Sequence, residues 1–326
     1  MSVQAGIAGL GRWGRRLTES IETSSVIQFT AGCTGRRAHA VDYCSEKGID
    51  LRDSLDDLLN DPVIDAIILA TPHTQHAEQI IASAKAGKHV FVEKPFTMSR
   101  ESAERAATAV LAADVVCGLG HNRRFLPAMQ RMRNIISSGE IGTPLHVEAN
   151  ISVPSSLREA EDNWRQDPIE SPAGGMTSLG VHMTDALISM LGPVAEVCAT
   201  SEKRILIGPI DDVTFMTMRF ANGTTGYMST ILSTARIWFI RIMGSEGWAS
   251  MQGYQQIAVK RLDQDDGEER LETFERVNSE KLELEAFADA IMGGSEYLIR
   301  LEEAVHGAEL LEAIVQSAIT RSSVML

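Results

Sequence analysis

"VQAGIAGLGRWGRR", residues 3–16, decides the fold. It opens as an apolar strand, turns on glycine and continues as a helix. Gly9, Gly11 and Gly14 stand in GxGxxG spacing. That spacing is weak alone and gains meaning at the first strand–helix turn of a βαβ unit, where it lies here. Gly9 makes the tight turn, Gly11 lets a pyrophosphate approach the backbone, and Gly14 lets the helix pack on the strand. Arg12 and Trp13 fill the positions between and are expected to line the same site. The helix start offers free N–H groups and positive dipole to phosphates. The ligand this pattern implies is a dinucleotide.

The second strand, "VIQFTAGC", ends at "GCTGRR", residues 32–37. This point lies about 20 residues past Gly14, where a sheet of this type meets the adenosine ribose. An acid there binds a 2′-hydroxyl; an arginine accepts a 2′-phosphate. No acid is present in the segment. Thr34 can donate a hydrogen bond, and Arg36 or Arg37 can pair with a phosphate. NADP is therefore expected over NAD, with NAD the alternative.

Working outward, strand and helix alternate through residue 120. "RAHAVDYCSEKG" reads as helix, "IDAIILA" as a doubly covered strand, and "HTQHAEQIIASAKAG" as an amphipathic helix ending at Gly87. "HVFV" and "VVCGLG" are further strands. This alternation means a parallel, doubly wound sheet. The second half changes character. "PLHVEANISV" alternates, and several strands joined by short turns run from Val194 to Lys260, favouring an antiparallel sheet. Helices are expected near 126–138, 176–191, 280–292 and 301–321, with "DQDDGEER" as a charged hairpin tip or loop.

Composition narrows the partners. The 326 residues are 44% hydrophobic and 23% charged, an ordinary globular balance. A net charge of −14 argues against nucleic acid or an anionic membrane as the main partner. Cys33, Cys44, Cys117 and Cys198 are scattered, with no CxxC pair, so reduced thiols are expected. The N-terminus lacks a basic n-region and no run is long enough for a membrane span. A cytoplasmic location is expected. His73 and His76 at i, i+3 could mimic a metal pair, but no third ligand suggests itself, and no metal is expected.

"GIAGLGRWG", "ILATPHTQHAE", "GKHVFVEKPF", "HNRRFLPA", "NWRQDP" and "GGMTSLGVHMTDAL" occur in this order along the chain. With them the chain resembles the Gfo/Idh/MocA oxidoreductases over essentially its whole length. The resemblance implies an α/β architecture: an N-terminal Rossmann domain over 1–121 and a C-terminal α/β domain over 122–326. The second domain would hold a large, mostly antiparallel open sheet, whose face commonly forms a homodimer or homotetramer. Members mostly move a hydride between a nicotinamide cofactor and a sugar, polyol, dihydrodiol or related carbonyl or alcohol. Relatives also include dinucleotide-binding sensors without turnover and NAD-dependent glycoside hydrolases.

The resemblance assigns roles residue by residue. In "VEKPF" the lysine is catalytic, which points to Lys94, with a cis Lys94–Pro95 bond. A lysine there gives a proton to a carbonyl oxygen, or takes one from a hydroxyl, as hydride moves to or from the adjacent carbon. His182 matches the family histidine. The position four before it is usually Asp and is Ser178 here. A serine can hydrogen-bond substrate but is a poor base, so the departure puts the full acid–base relay in question. Ser178, His182 and Asp185 fall at i, i+4 and i+7, one face of an α-helix, with Asp185 expected to be structural. Thr71, Pro72, His76, Glu93, Asn122 and Arg165 are expected beside the cofactor. His121, Arg123 and Trp164 are expected beside the substrate. One arginine, Arg158 or Arg165, could hold a carboxylate.

Overall fold

The computed structural model describes residues 2–154, 164–264 and 269–326; Arg158 and the centre of the "DQDDGEER" segment lie outside them. The chain divides into two compact units. Residues 1–122 and 278–305 form the first; residues 123–277 and 306–326 form the second. The sequence pattern places everything after His121 in the second domain. The structure instead returns the segment from Asn278 to Val305 to the first unit.

The first unit runs β1 Val3–Ala8, α1 Arg12–Ser20, β2 Ile27–Cys33, α2 Val41–Lys47, β3 Asp50–Leu51, α3 Leu55–Leu59, β4 Ala66–Leu69, α4 His76–Lys85, β5 His89–Glu93, α5 Arg100–Ala113 and β6 Cys117–Gly120. Its strands pair in parallel in the order β3-β2-β1-β4-β5-β6. This is the doubly wound order, with its switch point between β1 and β4. Ala66 to Leu69 are wholly buried, as strands covered on both faces must be. Capping boxes at Ser54 with Asp57 and at Ser99 with Ser102 start α3 and α5. The returning segment explains one glycine. A Cβ on Gly118 would lie 2.8 Å from Phe91 and 3.0 Å from Phe287, so the ring of Phe287 packs where no side chain stands. The Tyr297 hydroxyl donates to the Leu119 carbonyl at 3.0 Å. Distant apolar residues thus complete the sheet's outer cover.

His89 opens β5 and accepts a hydrogen bond from the Val116 amide at Nδ1, 3.0 Å away. The bond needs that nitrogen unprotonated. Burial holds the imidazole below its ordinary pKa of 6.5, partly opposed by Asp65. Below that value the unfolded chain binds more protons than the folded one, so this stability is present at higher pH and is lost as pH falls. The urea midpoint is expected to drop between about pH 7 and pH 5.5, with a shallower drop in His89→Phe. An equal slope in both proteins would refute it.

The second unit runs α6 Pro127–Ser137, β7 Pro144–Ser152, a π-helical turn Met176–Gly180, α7 Val181–Leu191, β8 Val194–Glu202, β9 Val213–Phe220, β10 Thr225–Ile231, β11 Ile237–Gly244, β12 Gly247–Gln252, β13 Gln256–Arg261 and β14 Arg270–Thr273. α8 Ser279–Ile291 belongs to the first unit; α9 Leu301–Thr320 starts there and ends in the second, followed by β15 Val324–Met325. The second sheet orders as β14-β13-β12-β11-β7-β10-β9-β8-β15. Its pairs are antiparallel except β7 with β10. The inner face carries Val147, Ala149, Ile151, Met216, Met218, Met228, Ile240 and Ile242, all buried. α7 is buried nearly all round, as its apolar sequence requires.

Candidate active site

The glycine turn can be read atom by atom. Gly9 has φ +101°, in the left-handed region, and a Cβ there would lie 2.4 Å from the Ala70 carbonyl oxygen. A Cβ on Gly14 would lie 1.8 Å from the Gly9 carbonyl oxygen. These two glycines are required by the chain's own packing. Gly11 differs: a Cβ there would meet nothing within 4 Å. It is the N-cap of α1 and supplies no side-chain hydrogen bond. Open space therefore stands over uncapped N–H groups, which is what a pyrophosphate needs. Arg12 is exposed beside this turn and Trp13 half-buried. The Trp13 indole Nε1 is buried with no hydrogen-bond partner among the described residues. A dinucleotide fits this cradle.

At the end of β2, the Arg36 amide donates to Thr34 Oγ1 at 3.5 Å. Arg36 and Arg37 are both exposed. Arg37 Nη1 meets Asp53 Oδ1 at 3.0 Å and the Arg52 carbonyl at 2.8 Å. Asp53 is an acid that the local sequence reading did not bring here. The pair is open to solvent, with side chains 49% and 84% exposed, so it is weak and a phosphate can displace it.

At the carboxyl end of β5, Glu93 is buried and Lys94 half-buried. The Lys94–Pro95 bond is cis. A Cβ on Gly120 would lie 2.8 Å from Glu93 Oε1, so the carboxylate lies over a bare glycine of β6. His76, expected at the cofactor, is fully buried. Its Nδ1 lies 2.8 Å from the Pro95 carbonyl and its Nε2 3.2 Å from the Thr71 carbonyl. The Thr71 hydroxyl donates to Gln79 Oε1 at 2.5 Å. Pro72 and Thr71 are half-buried at the end of β4, and His121 and Asn122 are buried just past β6. Asn122 Nδ2 donates to the Ser279 hydroxyl at 3.2 Å. The glycine turn, the Thr71 loop and Lys94 thus follow the carboxyl ends of β1, β4 and β5, which are neighbours in one sheet.

The other expected residues lie in the second unit. Arg123 Nε donates to the Tyr254 hydroxyl at 3.3 Å, and its guanidinium stands 5.0 Å from the Trp238 ring centroid. The Arg165 guanidinium stacks 4.2 Å above the Trp164 ring. His182 is buried in the first turn of α7. Ser178 sits in the π-helical turn before it, so the single α-helical face drawn through Ser178, His182 and Asp185 needs correction. A π-turn advances less per residue than an α-turn and shifts Ser178 out of that register. Close packing of glycines just before and within the turn accompanies it. A Cβ on Gly174 would lie 1.9 Å from the Asp211 carbonyl oxygen, and one on Gly180 would lie 2.3 Å from Met176 Sδ. Asp185 accepts two bonds from Arg124, 2.7 Å from Nε and 2.8 Å from Nη2. Arg124 was not singled out in the sequence; an arginine beside another in "NRRF" carries no sign that it is the one buried.

The parallel order and the glycine turn at its switch point define a dinucleotide-binding Rossmann domain. Residues 3–121 match a family model described as the oxidoreductase family with NAD-binding Rossmann fold. Residues 129–250 match the GFO/IDH/MocA C-terminal domain. The chain belongs to the Gfo/Idh/MocA family of oxidoreductases. It is 28% identical over 288 residues to 1,5-anhydro-D-fructose reductase of Ensifer adhaerens, covering 85% of each chain. It is 37% identical over 147 residues to scyllo-inositol 2-dehydrogenase (NAD(+)) of Bacillus subtilis, covering 44% of this chain and 43% of the relative. A crystal structure provisionally described as an NADPH-dependent oxidoreductase, from Desulfitobacterium hafniense, superposes with a TM-score of 0.92 at 25% identity, covering 100% of this chain and 98% of that one. Among the described residues no helix is long and apolar enough to cross a membrane, and no group of His, Cys, Asp or Glu could hold a metal ion.

Proposed function

We propose that the protein is a dehydrogenase or reductase that moves a hydride between NADP and a sugar, polyol or related carbonyl, in the cytoplasm. The observation that carries the reading is the cradle at Gly11 and the half-buried Lys94 on the same end of one sheet. The bound nicotinamide would supply or accept the hydride. Gly9, Gly11, Arg12, Trp13 and Gly14 would hold the pyrophosphate half, and Thr34, Arg36 and Arg37 the adenosine end. Thr71, Pro72, Glu93, Asn122 and Arg165 would line the remainder. Lys94 would give or take the proton at the substrate oxygen, and its ammonium would stabilise charge developing there. His182 would exchange protons, and Ser178 would hydrogen-bond a substrate hydroxyl. His121, Arg123 and Trp164 would shape the substrate pocket. Relatives named for 1,5-anhydro-D-fructose, scyllo-inositol and D-xylose support a polyhydroxylated substrate.

The outer face of the second sheet supports a homodimer or homotetramer. Phe215, Tyr227, Ile237 and Phe239 stand there at least partly exposed, with the Tyr227 hydroxyl donating to Glu148 at 2.9 Å.

NADP preference is tested by fluorescence titration of cofactor-free protein with NADPH and NADH. Replacing Arg36 and Arg37 together by Ala is expected to weaken NADPH binding by about 10–100-fold, the worth of one or two charge-assisted bonds, with NADH unchanged. Equal binding of both cofactors by the parent would remove the assignment.

A further inference from the structure

We infer that His76 is a positioning residue that locks the Lys94–Pro95 turn to the Thr71 loop, rather than a cofactor contact. This rests on the proposed role of Lys94. Proline has no N–H, so the Pro95 carbonyl is that residue's one backbone hydrogen-bonding group. It lies 2.8 Å from His76 Nδ1, and the ring is 0% exposed. A carbonyl only accepts and a neutral ring carries one N–H, so Nδ1, at the shorter distance, is the donor. Nε2 faces the Thr71 carbonyl at 3.2 Å. The imidazole therefore spans the loops that follow β4 and β5. Those two strands pair only as far as Leu69 with Val92, so their own ladder ends before either loop. His76 starts α4, and Gln79, one turn later, accepts the Thr71 hydroxyl. One helix end thus meets both loops: Gln79 at the Thr71 hydroxyl, and the His76 ring at the Thr71 and Pro95 carbonyls. A residue so enclosed has no surface left for a dinucleotide, yet fixes the carbonyl next after Lys94.

The test uses full-length parent, His76→Leu and His76→Gln proteins. Lys94 is labelled with acetic anhydride and read by mass spectrometry against the other lysines, while NADPH binding is followed by fluorescence. Leu cannot donate; the Gln amide can donate to both carbonyls. Labelling of Lys94 in His76→Leu is expected to rise about tenfold, the shift in local opening from one lost buried hydrogen bond, with return toward the parent in His76→Gln. NADPH affinity is expected to stay within about threefold in both, because no cofactor contact is removed. Unchanged Lys94 labelling in a folded His76→Leu protein would overturn the inference. So would a Gln variant no better than Leu, or a selective loss of NADPH binding. If His76→Leu does not fold, His76→Ala is read the same way, since it too removes the donor. Lys94→Met separates the two readings. Full turnover in that variant with altered labelling in His76→Leu would sink the catalytic role and leave the lock. Lost turnover with unaltered labelling would do the reverse.

Discussion

Lys94→Met is expected to lower turnover by about 10³-fold, the middle of the range for loss of a positioned acid–base group. Cofactor binding should survive, because the glycine turn and the Arg36–Arg37 segment are untouched. kcat and kcat/KM should fall together, the mark of an interaction made only in the transition state. A rise in KM with kcat intact would instead make Lys94 a substrate clamp. The setting favours the first outcome. Lys94 directly follows a buried strand, with Glu93 laid over Gly120 behind it and Pro95 held after it. The check is a panel of aldoses, inositols and other polyols with NADP, comparing parent and variant on any substrate the parent turns over. Equal rates in both proteins would remove Lys94 from the chemistry.

Asp185→Ala is expected to destabilise the second unit by about 3–5 kcal/mol, because it takes a partner from a buried charge. The Arg124 side chain is 0% exposed and Asp185 9%, and their two short bonds are parallel and bidentate. With the carboxylate gone, the buried guanidinium loses both hydrogen bonds and the charge that Asp185 supplies. At the usual scaling for a unit of this size, the melting temperature should fall by about 10 °C. The double variant Arg124→Met, Asp185→Leu should recover much of this, since removing both charges also removes both desolvation costs. A single Asp185→Ala that melts with the parent would show that the pair contributes little. Asp185 lies one turn after His182, and the pair ties α7 to the segment just before α6. Loss of activity in the single variant without loss of stability would point to misplacement of His182 instead.

Periodic local patterns are legible without coordinates. The first βαβ unit, the strand–helix alternation of a parallel sheet and the C-terminal strands all follow from apolar spacing and glycine placement. Each is set by residues a few positions apart. The glycine turn was legible because its three glycines answer to separate demands, two from backbone packing and one from open space. Lys94 and His182 came from motif resemblance rather than from spacing.

Other features depend on where distant segments meet, and no local pattern reports that. Asn278–Val305 returns to the first unit because Phe287 and Tyr297 fit against Gly118 and Leu119, a match between segments far apart in sequence. Arg37 meets Asp53 only because β3 pairs beside β2. The π-turn at Ser178 forms where glycine contacts with Asp211 and Met176 crowd the chain. Which of two adjacent arginines is buried was decided by Asp185, 61 residues on. The sequence by itself determined the two sheets and the glycine turn, because periodicity and backbone sterics act locally, and its motifs gave the class of chemistry by family resemblance. The tertiary structure alone decided which polar side chains are buried and paired, because desolvation and ion pairing depend on the three-dimensional surroundings of each group.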